Sequence, residues 1–130
     1  MKPHLLIVDD DQAYASDLAL VLEAEFHCSL AHNPVQAEER INGEMPAVVL
    51  LDLNLGPDVR EFSLLERIRE MAPELPVVMM SDQPSISKVV EAVRRGVFGF
   101  LQKSAGLEEL KLVLHKAAGW SNDQPTGDNR

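Results

Sequence analysis

The sequence from residue 5 to residue 11 is Leu5-Leu6-Ile7-Val8-Asp9-Asp10-Asp11, four apolar residues followed by three aspartates. The apolar run is continuous and does not alternate with polar residues, which is typical of a strand that is buried on both faces. Similar runs occur at Val48–Leu51, Val77–Met80 and Gly99–Gln102, with a weaker one at Phe26–Ala31. Strands of this kind are typical of a parallel sheet covered by helices on both sides.

Segments of helical periodicity lie between these runs. Their apolar residues recur every three or four positions, so we expect each to face a core. The predicted core faces are Tyr14, Leu18, Val21 and Leu22; Phe62, Leu65 and Ile68; Ile86, Val89, Val90 and Val93; and Leu107, Leu110, Val113, Leu114 and Ala117. The segment Pro34–Gly43 is more polar, but Pro suits a first helical turn and Gly a helix end. Strand and helix alternate five times, which predicts an α/β fold of three layers.

Length and composition favour one domain. The chain has 130 residues, of which 45% are hydrophobic, enough for a single core without disulfides. We assign residues 1–120 to this domain. Residues 121–130 are polar and contain Pro125 and Gly127, so we expect a tail or the start of a linker there.

Charge and cysteine content exclude several classes of protein. The formal charge is −9, which disfavours direct binding of nucleic acid by this segment. The longest apolar run, Ala47–Leu51, is too short to span a membrane. Cys28 is the only cysteine, so no internal disulfide is expected. These features favour a cytoplasmic protein.

Chemically distinctive side chains follow the predicted strands. Asp9 and Asp10 follow the first, Asp52 and Asn54 the third, Ser81 the fourth and Lys103 the fifth. Ligands of open parallel sheets bind at the carboxyl ends of the strands. Two carboxylates about 5 Å apart repel by roughly 3 kcal/mol at an effective dielectric of 20. A cation would relieve this repulsion, and Mg²⁺ is the first choice for oxygen ligands.

Each residue also has an ordinary structural explanation. Asp11 is expected to cap the helix that follows it, and Ser81 alone would do the same. Asp52 alone would be a loop residue, and Lys103 alone a solvated charge. The coincidence of all four kinds of side chain at matching strand ends favours a site in which Asp52 acts as a nucleophile toward phosphorus.

Four blocks of sequence carry a family resemblance: Leu5 to Asp11, Val48 to Asn54, Val77 to Ser81 and Gly99 to Lys103. Together, and in their spacing, they resemble the receiver domain of bacterial response regulators of two-component systems. The resemblance covers about Leu5 to Ala118. It implies a flavodoxin-like, doubly wound sheet of five parallel strands in the order 2-1-3-4-5, flanked by five helices.

The resemblance also implies a metal site and a phosphoacceptor. Asp52 would accept a phosphoryl group from a histidine kinase or a phosphotransfer protein. Asp10 and Asp52 would ligate Mg²⁺ directly, together with the backbone carbonyl of Asn54, and Asp9 would act mainly through water.

A conformational switch is implied as well. Lys103 would pair with the phosphoryl oxygens, Ser81 would move to hydrogen-bond them, and Phe100 would turn into the vacated space. This change would bias the surface formed by the fourth helix, fifth strand and fifth helix, which commonly dimerises or binds partners in the family. A homodimer through this surface is therefore one expectation.

Several residues depart from the family pattern, Ser104 and Asp82 among them. Ser104 stands where a Pro in a cis bond is usual, and a non-proline cis bond costs roughly 3 kcal/mol. We therefore expect either a trans Lys103–Ser104 bond with an altered loop or a strained bond. Asp82 stands where a small Ala is common. Its charge near the phosphoryl site could repel phosphate, or its side chain could cap the following helix, and we favour capping.

Three functions are compatible with these residues. The first is a phosphorylated signalling receiver, which promotes only its own phosphorylation and dephosphorylation and is not otherwise an enzyme. The second is a degenerate receiver that binds proteins without phosphorylation. The third is an aspartyl-phosphate phosphatase, which needs a second acid two residues after the nucleophile. Asn54 occupies that position and cannot transfer a proton as a carboxylic acid does.

Overall fold

The computed structural model describes residues 1–123, with side chains as far as Gly119. Strands and helices alternate along these residues. The strands are β1 (His4–Val8), β2 (His27–Ala31), β3 (Val48–Asp52), β4 (Val77–Ser81) and β5 (Gly99–Gln102). The helices are α1 (Gln12–Leu22), α2 (Pro34–Gly43), α3 (Ser63–Met71), α4 (Ile86–Arg94) and α5 (Leu107–Asp123).

The five strands form one sheet in the order β2-β1-β3-β4-β5, and every pair is parallel. The predicted fold class and strand order are confirmed. The strand order reverses at β1, which lies between β2 and β3, so a crevice opens between the loops that leave β1 and β3. Val8 pairs with Leu51, which places Asp9 and Asp52 side by side at this point.

Two aliphatic cores cover the two faces of the sheet. Strand residues alternate between them, because successive side chains point to opposite faces of a sheet. Leu6 and Leu51 pack with the buried residues of α2, α3 and α4. Leu5 and Leu50 pack with those of α1 and α5. The result is the expected three-layer arrangement, with helices on both sides of the sheet.

Polar side chains fix the starts of three helices. Asp11, Asn33 and Ser85 each accept a hydrogen bond from a backbone N–H in the first turn of α1, α2 and α4. The expected cap at Asp11 is therefore confirmed. The helix α3 begins differently, because Phe62 precedes it in a left-handed conformation with φ 59° and caps nothing. Such a backbone is uncommon for a bulky residue and costs of order 1–3 kcal/mol.

The predicted core face of the fourth helix is wrong in most of its residues. Ile86 is 85% exposed and Val93 is 61% exposed, and Val90 is exposed as well. The buried residue of α4 is Ala92, which packs in the core with α2 and α3. The helix lies on the sheet through its small residue, whereas Ile86, Val90 and Val93 face outward.

The helix α5 runs to Asp123, three residues past the predicted end of the domain. The rest of the predicted tail, residues 124–130, lies outside the described residues. No cis peptide bond occurs among the described residues, so the Lys103–Ser104 bond is trans. None of the helices in residues 1–123 combines the length and hydrophobicity that a membrane span requires.

Candidate functional site

Three carboxylates meet at the carboxyl ends of β1 and β3. Asp9 is fully buried, Asp52 is buried and Asp10 is exposed, and one oxygen of each lies within 4.8 Å of the others. Backbone N–H groups that follow the two buried aspartates donate hydrogen bonds to their carboxylates. The N–H of Asp11 donates to Asp9 Oδ1 at 2.9 Å, and the N–H of Asn54 donates to Asp52 Oδ1 at 3.0 Å. These bonds hold both side chains at the sheet edge and leave their other oxygens facing the crevice.

Lys103 reaches the same point from β5. Its Nζ donates to Asp9 Oδ2 at 2.8 Å and to Asp52 Oδ2 at 3.0 Å. Its backbone N–H donates to the carbonyl of Ser81 at 2.9 Å, which anchors the lysine at the end of the sheet. The side chain is only 11% exposed, so the possibility of a solvated charge is wrong.

The surroundings shift the pKa values of both Asp52 and Lys103. Burial raises the pKa of Asp52 to about 6, although the hydrogen bonds from Asn54 and Lys103 favour its charged form. For Lys103, burial opposes the charge, but the hydrogen bonds to Asp9 and Asp52 outweigh it and raise the pKa of the amine. The lysine therefore stays protonated at neutral pH, and Asp52 is mostly ionised there.

The carboxylates line an open cavity of about 530 Å³. Its other walls come from the loops after β1, β3 and β4, and from Lys103. The lining residues are Asp9, Asp10, Asp11, Asp52, Asn54, Gly56, Pro57, Asp82 and Lys103. Gly56 has φ 109°, and a Cβ there would lie 3.6 Å from Asp10 Oδ2. The cavity is thus polar and accessible, with one buried ammonium on its floor.

Ser81 and Phe100 are not among the residues that line this cavity. Ser81 is the last residue of β4, is buried, and its Oγ accepts a hydrogen bond from the N–H of Gln83 at 3.2 Å. It does not cap α4, because Ser85 does. Phe100 pairs with Met79 across β4 and β5 and packs, partly buried, against the core on the α2–α4 side.

The family model for the response regulator receiver domain matches residues 5–115. The chain belongs to this family. Receiver domains are the signalling domains of two-component systems and generally bind Mg²⁺ at an acidic pocket. The cluster of Asp9, Asp10 and Asp52 lies where such a pocket is expected in this receiver domain.

Relatives and solved structures agree with this assignment. The receiver domain of NtrX from Brucella abortus is 35% identical, with a TM-score of 0.81, and the match covers 88% of this chain and 98% of that one. The nitrogen assimilation regulatory protein NtrX of Azorhizobium caulinodans is 31% identical over 90% of this chain and 26% of that protein. The transcriptional regulatory protein ZraR of Klebsiella oxytoca is 29% identical over 87% of this chain and 26% of that protein. The receiver domain thus spans about a quarter of the length of these two regulators.

The acidic pocket of the receiver domain fits a divalent cation by its donor set. Carboxylate oxygens are the ligands that Mg²⁺ prefers, and three of them lie within 4.8 Å of one another. Five aspartates line the cavity against one ammonium, so a net negative potential remains to attract a cation. These residues are therefore compatible with the Mg²⁺ that the resemblance implies.

The structure differs from the favoured interpretation of the sequence at two residues of the receiver site. Asp82 lines the cavity and does not cap α4, so the expected capping role is wrong. Tyr14 was assigned only to the core face of the first helix, yet its ring lies under Lys103, with 4.5 Å between Nζ and the ring centroid. The position of Tyr14 at the start of α1, close to three aspartates, was the signal that could have pointed to the site.

Proposed function

We propose that this receiver domain accepts a phosphoryl group on Asp52 from a phosphohistidine of a histidine kinase or a phosphotransfer protein. One observation carries the proposal: the buried carboxylate of Asp52 lies at an open polar cavity, 3.0 Å from the ammonium of Lys103. A nucleophilic carboxylate beside a fixed cation, open to an incoming group, suits transfer of an anionic phosphoryl group.

The transfer balances without any further reactant. An oxygen of the ionised Asp52 carboxylate forms a bond to phosphorus, and the bond between phosphorus and the donor imidazole nitrogen breaks. The electron pair of that bond stays on the imidazole, which takes a proton from water. The product is an acyl phosphate on Asp52, and water later hydrolyses it to inorganic phosphate and the free carboxylate.

The neighbouring residues have distinct roles in the proposal. Asp10 and Asp52 would hold Mg²⁺ directly with the backbone carbonyl of Asn54, and Asp9 would act mainly through water. When bound, Mg²⁺ neutralises negative charge on the phosphoryl oxygens. Lys103 offsets the charge on another oxygen, and it remains protonated because of its two carboxylate partners.

The phosphoryl group would then act on Ser81 and Phe100. It adds nearly two negative charges at the end of the sheet. Ser81 Oγ moves from the N–H of Gln83 to a phosphoryl oxygen, and Phe100 packs inward. The surface of α4, β5 and α5 changes shape and becomes available to a partner or to a second copy of the chain. Phe100 has no hydroxyl, so it responds to phosphorylation through its packing and not through a hydrogen bond.

The relatives support a proposal for the wider role of the domain. The regulator NtrC of Proteus hauseri, named as a DNA-binding transcriptional regulator, is 28% identical over 98% of this chain and 27% of that protein. We infer that the receiver domain controls a transcriptional output in the cytoplasm, through a further part of the protein and not through DNA contacts of its own.

The test is intact mass spectrometry after incubation with acetyl phosphate and Mg²⁺. We expect a gain of one phosphoryl group, its loss in Asp52→Asn, and its retention in Asp58→Asn, an exposed acid of the same loop. No gain in the wild type would favour the degenerate binding module. Steady release of phosphate from simple esters would favour the phosphatase, against which Asn54 argues by lacking an acidic group.

A further inference from the structure

We propose that Tyr14 is a positioning residue whose ring face holds the ammonium of Lys103 between the carboxylates of Asp9 and Asp52. The inference rests on the proposed phosphorylation of Asp52, since it assigns the residue that keeps the lysine of that site in place. Tyr14 does not line the acidic cavity, so it would act on the site through Lys103.

The ammonium of Lys103 is held from two sides. Two carboxylate oxygens lie 2.8 Å and 3.0 Å away on one side. On another, the Tyr14 ring centroid lies 4.5 Å from Nζ, within the range of a cation–π contact. Because the lysine side chain is 11% exposed, this contact is poorly screened by water and stronger than one at the surface.

The ring itself is fixed by its surroundings. The N–H of Tyr14 donates to the capping oxygen of Asp11 at 3.0 Å, and the hydroxyl lies 4.0 Å from the sulfur of Met80. The helix turn that presents the three aspartates therefore also sets the place of the ring. Burial raises the pKa of the Tyr14 hydroxyl, so the ring carries no charge at neutral pH and attracts the ammonium through its face.

A small cavity explains why the ring is needed. A space of about 190 Å³ between α1 and α5 is lined by Tyr14, Lys103 and Leu110, among other residues. Without the ring this space would enlarge toward Lys103, and the flexible lysine side chain would gain alternative positions away from Asp52. The ring thus prevents the lysine side chain from adopting positions in which its ammonium could not contact a phosphoryl group on Asp52.

The first experiment compares Tyr14→Leu with Tyr14→Phe in the 130-residue chain. The rate of phosphorylation by acetyl phosphate with saturating Mg²⁺ is followed by mass spectrometry. We expect a fall on the order of tenfold for Tyr14→Leu, which loses the aromatic face, and less than about twofold for Tyr14→Phe, which keeps it. Equal rates for Tyr14→Leu and the wild type, or equal losses in both variants, would overturn the inference.

The second experiment needs no phosphoryl transfer. Titration calorimetry measures the dissociation constant of Mg²⁺, for which Lys103 competes at Asp9 and Asp52. A released lysine repels the metal less, so we expect Tyr14→Leu to bind Mg²⁺ about threefold more tightly. A general loosening of the site would weaken binding instead, and that result would overturn the inference.

A double-mutant cycle with Lys103→Met completes the test, because Tyr14 is proposed to act only through the lysine. We expect Tyr14→Leu to leave Mg²⁺ affinity unchanged in the Lys103→Met background. The same shift in both backgrounds would overturn the inference. Failure of the wild type to become phosphorylated would overturn the proposed function alone, since the Mg²⁺ titrations still decide the role of Tyr14.

Discussion

Replacement of Lys103 by Met removes the one cation from the floor of the acidic cavity. Met keeps most of the length and the apolar stem of lysine, so the packing against the sheet changes little. Asp9 and Asp52, both buried, then lose their hydrogen bonds to the ammonium and keep only those from the backbone N–H groups two residues further on. We expect a large loss of stability from this single change of charge.

The two ion-pair distances of Lys103 determine the magnitude of this loss of stability. At 2.8 Å and 3.0 Å, each ion pair of Lys103 has a Coulomb energy of roughly 6 kcal/mol at an effective dielectric of 20. The cost of removing the lysine from water offsets much of that sum. Breaking a buried pair by removing one partner typically costs about 3–5 kcal/mol. We expect about 3 kcal/mol here, because the cavity beside Asp52 is open to water.

Urea unfolding followed by circular dichroism at neutral pH, without Mg²⁺, measures this loss. Lys111→Met is the matched control, since Lys111 also pairs with a carboxylate, Glu25 at 3.0 Å, but on the surface of α5. Exposed ion pairs contribute little, so we expect a much smaller change in the control. Mg²⁺ should restore part of the loss in Lys103→Met, because it supplies the missing positive charge. Equal losses in the two lysine variants would refute the reasoning.

Three further changes test the site and the core. Burial raises the pKa of Asp52 from 3.8 to about 6, so its charge weakens the fold as pH rises through that interval; Asp52→Asn should therefore increase the free energy of unfolding at pH 7 and leave it unchanged below pH 4. Asp10→Asn should abolish the rise in melting temperature that millimolar Mg²⁺ produces in the wild type, because one of the three clustered carboxylates is lost. Leu50→Ala, at a fully buried strand position, should cost about 3 kcal/mol in urea unfolding.

The sequence predicted the sheet and the acidic cluster well, for a physical reason. Strands buried on both faces are continuous apolar runs, and parallel strands bring their carboxyl ends to one edge. The aspartates at the carboxyl ends of β1 and β3 therefore had to meet wherever those strands paired, as Val8 and Leu51 do. Boundaries shifted by a residue, since Asp52 and Ser81 still belong to their strands. Phe26 lies just before β2 and is buried in the core with α1 and α5.

The contact of Tyr14 with Lys103 could not be predicted from the hydrophobic periodicity of the sequence. The two residues lie 89 positions apart, by their numbers in the sequence, and nothing in the local pattern of either one refers to the other. Tyr14 also satisfies the helical period of α1, so a place in the core explained it completely. The parallel pairing of β4 with β5 puts Lys103 at the carboxyl end of the sheet, the end from which the chain leaves β1 for α1, and the ring and the ammonium meet there.

The exposed face of α4 shows a different limit of prediction from sequence. Hydrophobic periodicity identifies the apolar face of a helix, but it does not show whether that face is buried in the core. The helix buries Ala92, and ion pairs at the edge of the helix hold it to its neighbours. Lys88 Nζ lies 2.7 Å from Glu61 Oε2, and Arg95 pairs with Glu66 and stacks over the Phe62 ring at 5.2 Å. All these partners belong to the start of α3 and the loop before it, which leads back to Asp52. Few buried contacts and several exposed ion pairs are the marks of an element of low local stability. A helix held in this way can shift on the sheet when the loop after Asp52 moves, whereas a helix with its apolar face in the core could not.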